Sequence, residues 1–192
     1  MGFRLLRKAK NFKNSLFERR DNVLKELPKN SICAEIGVYK GELSQRILNK
    51  TKPKKLVLID AWSIKVMKDN SDVQNSFTQQ KFEQIYLDIL KNFQKFNNVE
   101  VIRKNSIDAM KIFSDSYFDW VYIDASHRYQ DVLNDLEISM NKVKSGGIIA
   151  GDDYIDVRGK WGDDVIRAVN DFAAKYNLDI KSINDQFMIK LP

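Results

Sequence analysis

The chain holds one cysteine and one histidine, and nowhere does it string together the ~20 apolar residues that a membrane span requires. With Cys33 alone, an intramolecular disulfide is excluded, and the chain suits a reducing, cytoplasmic setting. Cys33 stands inside an apolar strand pattern and reads as a small buried hydrophobe rather than a nucleophile. The first residues, MGFRLLRKAKNFKNS, lack the apolar core of a secretory signal, and Leu6 stands where a myristoylation signal wants Ser or Thr. Internal repeats, low-complexity tracts and a convincing interdomain linker are also missing. What remains is one soluble α/β domain: 192 residues, 43% hydrophobic and 30% charged, are enough for a real core and too few for two ordinary domains.

The net charge of +6 is concentrated. Residues 1–30 carry nine Lys/Arg against three Asp/Glu, and the remainder holds 23 of each. A nucleic-acid footprint would spread over the folded body, so a nucleic-acid partner is not expected. Residues 3–27 read as an amphipathic helix with Phe12, Leu16, Val23 and Leu27 as its apolar contacts, closed by Pro28. We therefore divide the chain into a basic N-terminal helix, 1–30, and a main domain, 31–192. The helix either packs over a sheet with its basic face solvated or docks an anionic surface such as a membrane or glycolipid.

From Ile32 strands and helices alternate. ICAEIGV is a strand, GELSQRILNK a helix with Leu43, Ile47 and Leu48 on one face, and KKLVLIDAW a second strand, apolar as befits one covered on both sides. Ser63 to Gln80 is too polar for a core element and reads as a lid or a segment ordered by ligand. Next come a helix through KFEQIYLDILKNF, a strand NVEVIRKNS and a helical turn IDAMKIF. FDWVYID and GGIIAGDD are the fourth and fifth strands, with a helix from Tyr129 to Val143 between them. GDDVIRAVNDFAAKY is a last helix, and LDIKSI and QFMIKL form a hairpin at Asn184-Asp185, which makes the final strand antiparallel to its neighbour.

Acidic residues stand just past the carboxyl ends of these strands, the edge where open parallel sheets bind ligands. The fourth strand ends in Asp124 with His127 three residues on, and the fifth in Asp152 and Asp153. Three carboxylates and the chain's only histidine thus share one rim. Beyond them, Tyr154, Arg158 and Trp161 lie in a segment suited to a mobile loop over a substrate. In the first strand-to-helix turn, AEIGVYKG, Gly37 allows the backbone to approach a ligand closely, and the helix after Gly41 presents its positive end. Glu35 stands where a dinucleotide fingerprint wants glycine; it would repel a pyrophosphate and suits an ammonium or hydroxyl groups.

This E-x-G-x-x-x-G pattern resembles motif I of the class I S-adenosylmethionine-dependent methyltransferases. Asp60 ends the second strand, where one carboxylate can accept both hydroxyls of a ribose. After it, Ala61 and Trp62, with Trp62 against an adenine face, and Ser106 near the adenine edge complete a nucleoside pocket. The positions run in family order from Ser31 to about Ile189. IDASHRYQDVLNDL followed by GGIIAGDDY is similar to the metal-dependent macrocin O-methyltransferase type. That resemblance implies a Rossmann-like, doubly wound, seven-stranded, mostly parallel sheet with an antiparallel last strand. It implies that Asp124, Asp152 and Asp153 hold a divalent cation, that Asp124 also borders the cofactor, and that His127 is the catalytic base.

The residue chemistry agrees. Oxygen ligands without a second histidine or a usable cysteine select magnesium before zinc. A bound metal would lower the pKa of a hydroxyl, and a neutral imidazole would take its proton. The expectation is magnesium-assisted methyl transfer from S-adenosylmethionine to a hydroxyl of a sugar or other small metabolite, with homo-oligomers left open. Two alternatives stay open: a metal-dependent hydrolase or hydroxylase-like enzyme on the same scaffold, and a module that docks an anionic glycan or membrane through its basic helix.

Overall fold

A computed structural model describes residues 19–63, 78–155 and 163–192. Residues 64–77 of the expected lid (Ser63 to Gln80), the first part of the leading helix, and Arg158 and Trp161 lie outside the described residues.

The strand-and-helix alternation folds as expected. Residues 19–26 are helical (α1) and lead into β1 (Ile32–Ile36), α2 (Glu42–Thr51) and β2 (Lys55–Asp60). Then come α3 (Gln79–Phe93), β3 (Val99–Arg103), α4 (Ser106–Met110) and β4 (Phe118–Ile123). The chain closes with α5 (Tyr129–Lys142), β5 (Val143–Gly151), α6 (Asp164–Tyr176), β6 (Ile180–Ile183) and β7 (Gln186–Lys190). β5 begins three residues before the Gly146-Gly147 pair at which the sequence reading started it, because Val143 already pairs with Phe118 across an irregular register.

The sheet has seven strands in the order β3-β2-β1-β4-β5-β7-β6. All neighbours are parallel except β7, which runs antiparallel to both β5 and β6. This is the doubly wound, mostly parallel architecture with an antiparallel last strand. Side-chain alternation splits its core in two. Ala34, Ile36, Val57, Ile59, Val121 and Ile123 pack with Leu136, Val169 and Phe172 beneath α4, α5 and α6. Cys33, Leu56, Leu58, Trp120 and Tyr122 face the other way, toward α2, α3 and α1.

α1 belongs to that second core. Val23 and Leu24 are wholly buried and Leu27 nearly so, each worth roughly 1.5–3 kcal/mol of burial. Its polar face is stitched down as well. Asp21 accepts Arg46 Nε at 2.8 Å and faces Lys50 at 3.2 Å, both on α2, and Glu26 pairs with Lys181 at 2.7 Å on β6. Among the described residues, no helix is long and apolar enough to cross a membrane.

One buried acid works against this packing. Asp135 on α5 is 3% exposed, and burial pushes its carboxyl up to about 6, the hydroxyl of Ser106 pulling the other way and Asp131 adding repulsion. Between the ordinary carboxylate range near 3.8 and about 6, the folded chain keeps a proton that the unfolded chain has lost. Asp135 therefore withdraws stability as pH rises through that window, by roughly 2–3 kcal/mol once the rise is complete. Asp135→Asn should cancel that fall and leave the variant more stable at neutral pH, read from urea melts of both proteins between pH 4 and 7. A variant whose stability falls as steeply as the parent's would overturn this.

Candidate functional site

The rim is positioned first by backbone. The Gly37 amide donates to the Ile59 carbonyl at 2.9 Å, Asp124 to Ile36 at 2.8 Å and Asp152 to Ile123 at 3.0 Å. Each parallel ladder thus runs one residue past its strand and sets Gly37, Asp124 and Asp152 side by side at the carboxyl edge. Asp153 then adopts φ 57°, a left-handed conformation that costs a non-glycine residue roughly 1–2 kcal/mol. That twist sends two adjacent carboxylates to different partners.

Asp152 is buried and closed on both oxygens. Its Oδ1 accepts Gln186 Nε2 at 2.8 Å, and its Oδ2 accepts Arg20 Nε at 2.6 Å. The same guanidinium reaches Asp124, with Nη2 2.9 Å from Oδ2, and Nη2 also touches Asp152. Asp153 instead meets His127, Oδ2 lying 2.7 Å from Nε2. The carboxylates expected to share one metal are therefore divided between two side chains, Arg20 and His127. Among the described residues, the cluster of metal-ligating types that does assemble is Asp124, His127 and Asp153, with ligand atoms all within 4.8 Å. Asp152 is not part of it, so the three-carboxylate cage implied by the resemblance is not the arrangement built.

The electrostatics follow from burial against pairing. Burial pushes Asp124 up to about 7, with Arg20 pulling it down and Asp152 and Asp153 adding repulsion. Burial alone would lower Arg20, but Asp124 and Asp152 hold it above its usual range. His127 is pulled down by burial and raised more by its bond to Asp153 and by the three rim charges, so the imidazole ends above its ordinary value. Asp153, raised by burial, ends below the usual carboxylate range because of His127.

Glu35 sits on the inner side of this edge, 1% exposed. One oxygen accepts the Ser44 hydroxyl at 2.5 Å from α2, and the other, Oε1, has no partner among the described residues. Burial drives its carboxyl well above the usual range, Ser44 opposing and Asp124 assisting. An unpartnered buried oxygen is costly, and its presence marks a place where a polar ligand group would be gained.

The first turn is held differently from the expectation. Gly37 has φ 89°, and a Cβ there would fall 2.0 Å from the Asp124 carbonyl oxygen. The close approach it permits in this structure is to the neighbouring strand end at Asp124. Gly41 (φ 73°) caps α2, and its missing Cβ makes room for Ile89 and Phe93 of α3. Asp60 accepts the amides of Val38 at 3.0 Å and Tyr39 at 2.8 Å on one oxygen and of Trp62 at 2.8 Å on the other.

Ala61 is partly exposed beside Asp60. Trp62 is wholly buried, its indole N–H donating to the Tyr39 carbonyl at 2.9 Å and its ring against Tyr86, so it braces the turn from beneath instead of offering a face at the rim. Ser106 opens α4 with its hydroxyl on Asp135. Tyr154 donates to Asn170 Oδ1 at 2.8 Å on α6.

Arg20 and Gln186 are site residues that sequence reasoning missed. Arg20 was one of many basic residues in a helix, and Gln186 was read as the polar start of a strand. The one available signal was their type: a guanidinium and an amide are what buried carboxylates need. A small cleft at the rim is lined by Asp124, His127 and Asp152 together with Val132, Val165 and Phe187.

A profile of the methyltransferase domain family matches residues 34–154, from β1 through the rim. Comparison with curated proteins returns no match. Among solved structures, the N-methyltransferase NodS of Bradyrhizobium japonicum superposes with a TM-score of 0.62 at 13% identity, over 93% of this chain and 98% of that one. A SAM-dependent methyltransferase of Aquifex aeolicus gives 0.58 at 15% identity, over 88% and 87%. Fibrillarin of Aeropyrum pernix, solved with natively bound S-adenosyl-L-methionine, gives 0.58 at 13%, over 88% and 71%. At these identities the structural matches establish the shared fold.

The Asp60 clasp yields a stability prediction. Asp60→Ala would leave three turn amides without their acceptor, at ~1–3 kcal/mol for a buried unsatisfied donor. Thermal melting without ligand should show a clear loss, and Asp60→Asn should lose less, since its carbonyl still accepts. An Asp60→Ala chain melting with the parent would show that the turn does not depend on this carboxylate.

Proposed function

The chain belongs to the methyltransferase-domain family, and from that premise we propose that it moves the methyl group of S-adenosylmethionine onto a hydroxyl of a small acceptor, a sugar foremost. The observation that carries the oxygen assignment is the His127–Asp153 pair, with Nε2 2.7 Å from Oδ2 at the rim. A hydroxyl must lose its proton to become a competent nucleophile, and an imidazole oriented by a carboxylate is suited to take it.

The residues that would hold the donor are Glu35, the turn from Gly37 to Gly41, and Asp60 with Ala61. The unpartnered Oε1 of Glu35 fits an ammonium or hydroxyl donor group. Asp60 already accepts three amides, so any ribose hydroxyl would share lone pairs with the turn, and nucleoside binding and turn geometry would be coupled. When bound, the donor supplies an electrophilic methyl on a sulfonium, and the acidic rim suits that positive charge.

The acceptor would bring its hydroxyl to His127 at the mouth of the cleft, whose lining also includes Val132, Val165 and Phe187. There His127 accepts the hydroxyl proton, and Asp153 stabilises the imidazolium that forms. Magnesium would meet Asp152 closed by Arg20 and Gln186 and Asp124 already paired, so the mechanism runs on His127 and Asp153.

Calorimetry with S-adenosylhomocysteine, followed by methyl transfer to a panel of sugars and catechols, tests the reading. His127→Ala should keep its affinity for S-adenosylhomocysteine and lose ~10²–10⁴ in kcat, the usual reach of a general base. No S-adenosylhomocysteine binding by the parent would remove the donor; a His127→Ala enzyme as fast as the parent would remove the base.

A further inference from the structure

Three carboxylates gathered at one sheet edge demand a compensating cation, because like charges a few ångströms apart cannot all stay ionised unopposed. The rim contains such a cation. Arg20 spans Asp152, through Nε at 2.6 Å, and Asp124, through Nη2 at 2.9 Å, and Gln186 closes the remaining oxygen of Asp152. The guanidinium is three-quarters shielded from solvent, and its helix is anchored by the burial of Val23, Leu24 and Leu27. This is a built contact, joining positions 132 residues apart, and not a loose surface pair.

We propose that Arg20 is the resident cation of this rim: it fills the place between Asp124 and Asp152 that a divalent ion would otherwise take, and the site works without metal. A guanidinium suits the task because its planar fork reaches two carboxylates at once and never loses its charge. It also makes α1 a part of the site, since the cation arrives on that helix. Arg20 positions the two carboxylates beside His127 and Asp153 and takes no proton itself. What the site does rests on the methyl-transfer reading; whether it excludes metal does not.

The test uses the full chain and manganese as the probe, read by the electron paramagnetic resonance of the free ion. The parent should leave that signal unchanged, and Arg20→Met should gain at least ~10-fold in apparent manganese affinity, as deprotonated carboxylates without a partner would. Adding Asp152→Asn to Arg20→Met should remove the gain.

If Arg20→Met does not fold, Arg20→Gln takes its place: a neutral amide leaves both carboxylates without a cation, so it too should admit manganese. A parent that binds one manganese ion overturns the proposal, whether binding is lost in Asp152→Asn or is held by Asp124, His127 and Asp153. So does a folded Arg20 variant with no gain. In the activity arm, parent turnover should be the same in EDTA as in magnesium, and a dependence on magnesium overturns the proposal. A parent that shows the expected manganese pattern but never transfers methyl leaves Arg20's role standing and removes the methyl-transfer reading instead.

Discussion

The rim depends on charge compensation. Parallel strands that end in acids must bring those acids together, since the backbone ladders set Asp124 and Asp152 on adjacent strands whatever their side chains prefer. Water solves that problem for exposed carboxylates; these are buried enough that the protein has to solve it. It does so with two pairings, Arg20 across Asp124 and Asp152, and His127 on Asp153. The left-handed turn at Asp153 is the local cost of keeping them separate, and strain of this kind clusters at functional sites.

Once the charges are divided this way, roles separate as well. Asp152, with both oxygens occupied and Gln186 behind it, is a fixed structural anion. His127 and Asp153 are more exposed, and His127 lines the cleft with Asp153 against its Nε2. Glu35, on the other flank of Asp124, keeps its Oε1 unpaired among the described residues, as do the Tyr122 hydroxyl and Gln186 Oε1. On the proposed reading, the rim has a fully paired centre at Asp152 and two flanks, Glu35 toward the donor and His127 toward the acceptor.

The architecture was legible in the sequence because buried parallel strands are nearly continuous apolar runs, and LVLI and WVYI could hardly be anything else. The rim was legible for a related reason: an acid closing such a run falls at the carboxyl edge. Partners were another matter. That Asp60 holds the amides of Val38, Tyr39 and Trp62, and that Trp62 turns under the chain with φ 41°, depends on loop geometry with no periodic signature. Gly37 reads as a place of close approach, and the group that approaches it is the Asp124 backbone, 87 positions further on and just past β4. Arg20 was hidden among nine basic residues of the first 30, since nothing local distinguishes a buried guanidinium from a solvated one.

The leading helix makes the dependence reciprocal. Its apolar side docks through Val23, Leu24 and Leu27, a non-directional attraction that would tolerate a small slide along the sheet. The Arg20 fork does not tolerate it, because Nε and Nη2 must meet two carboxylates held on two different strands. The hydrophobic face thus supplies most of the binding energy and the ion pairs supply the register, helped by Asp21 against Arg46 and Lys50. Read from the rim, the same bonds hold Asp124 and Asp152 in place beside the groups that would do chemistry. The basic helix that stands out in the sequence as an excess of charge thus delivers one of its cations, Arg20, to the place where the sheet's own acids require it.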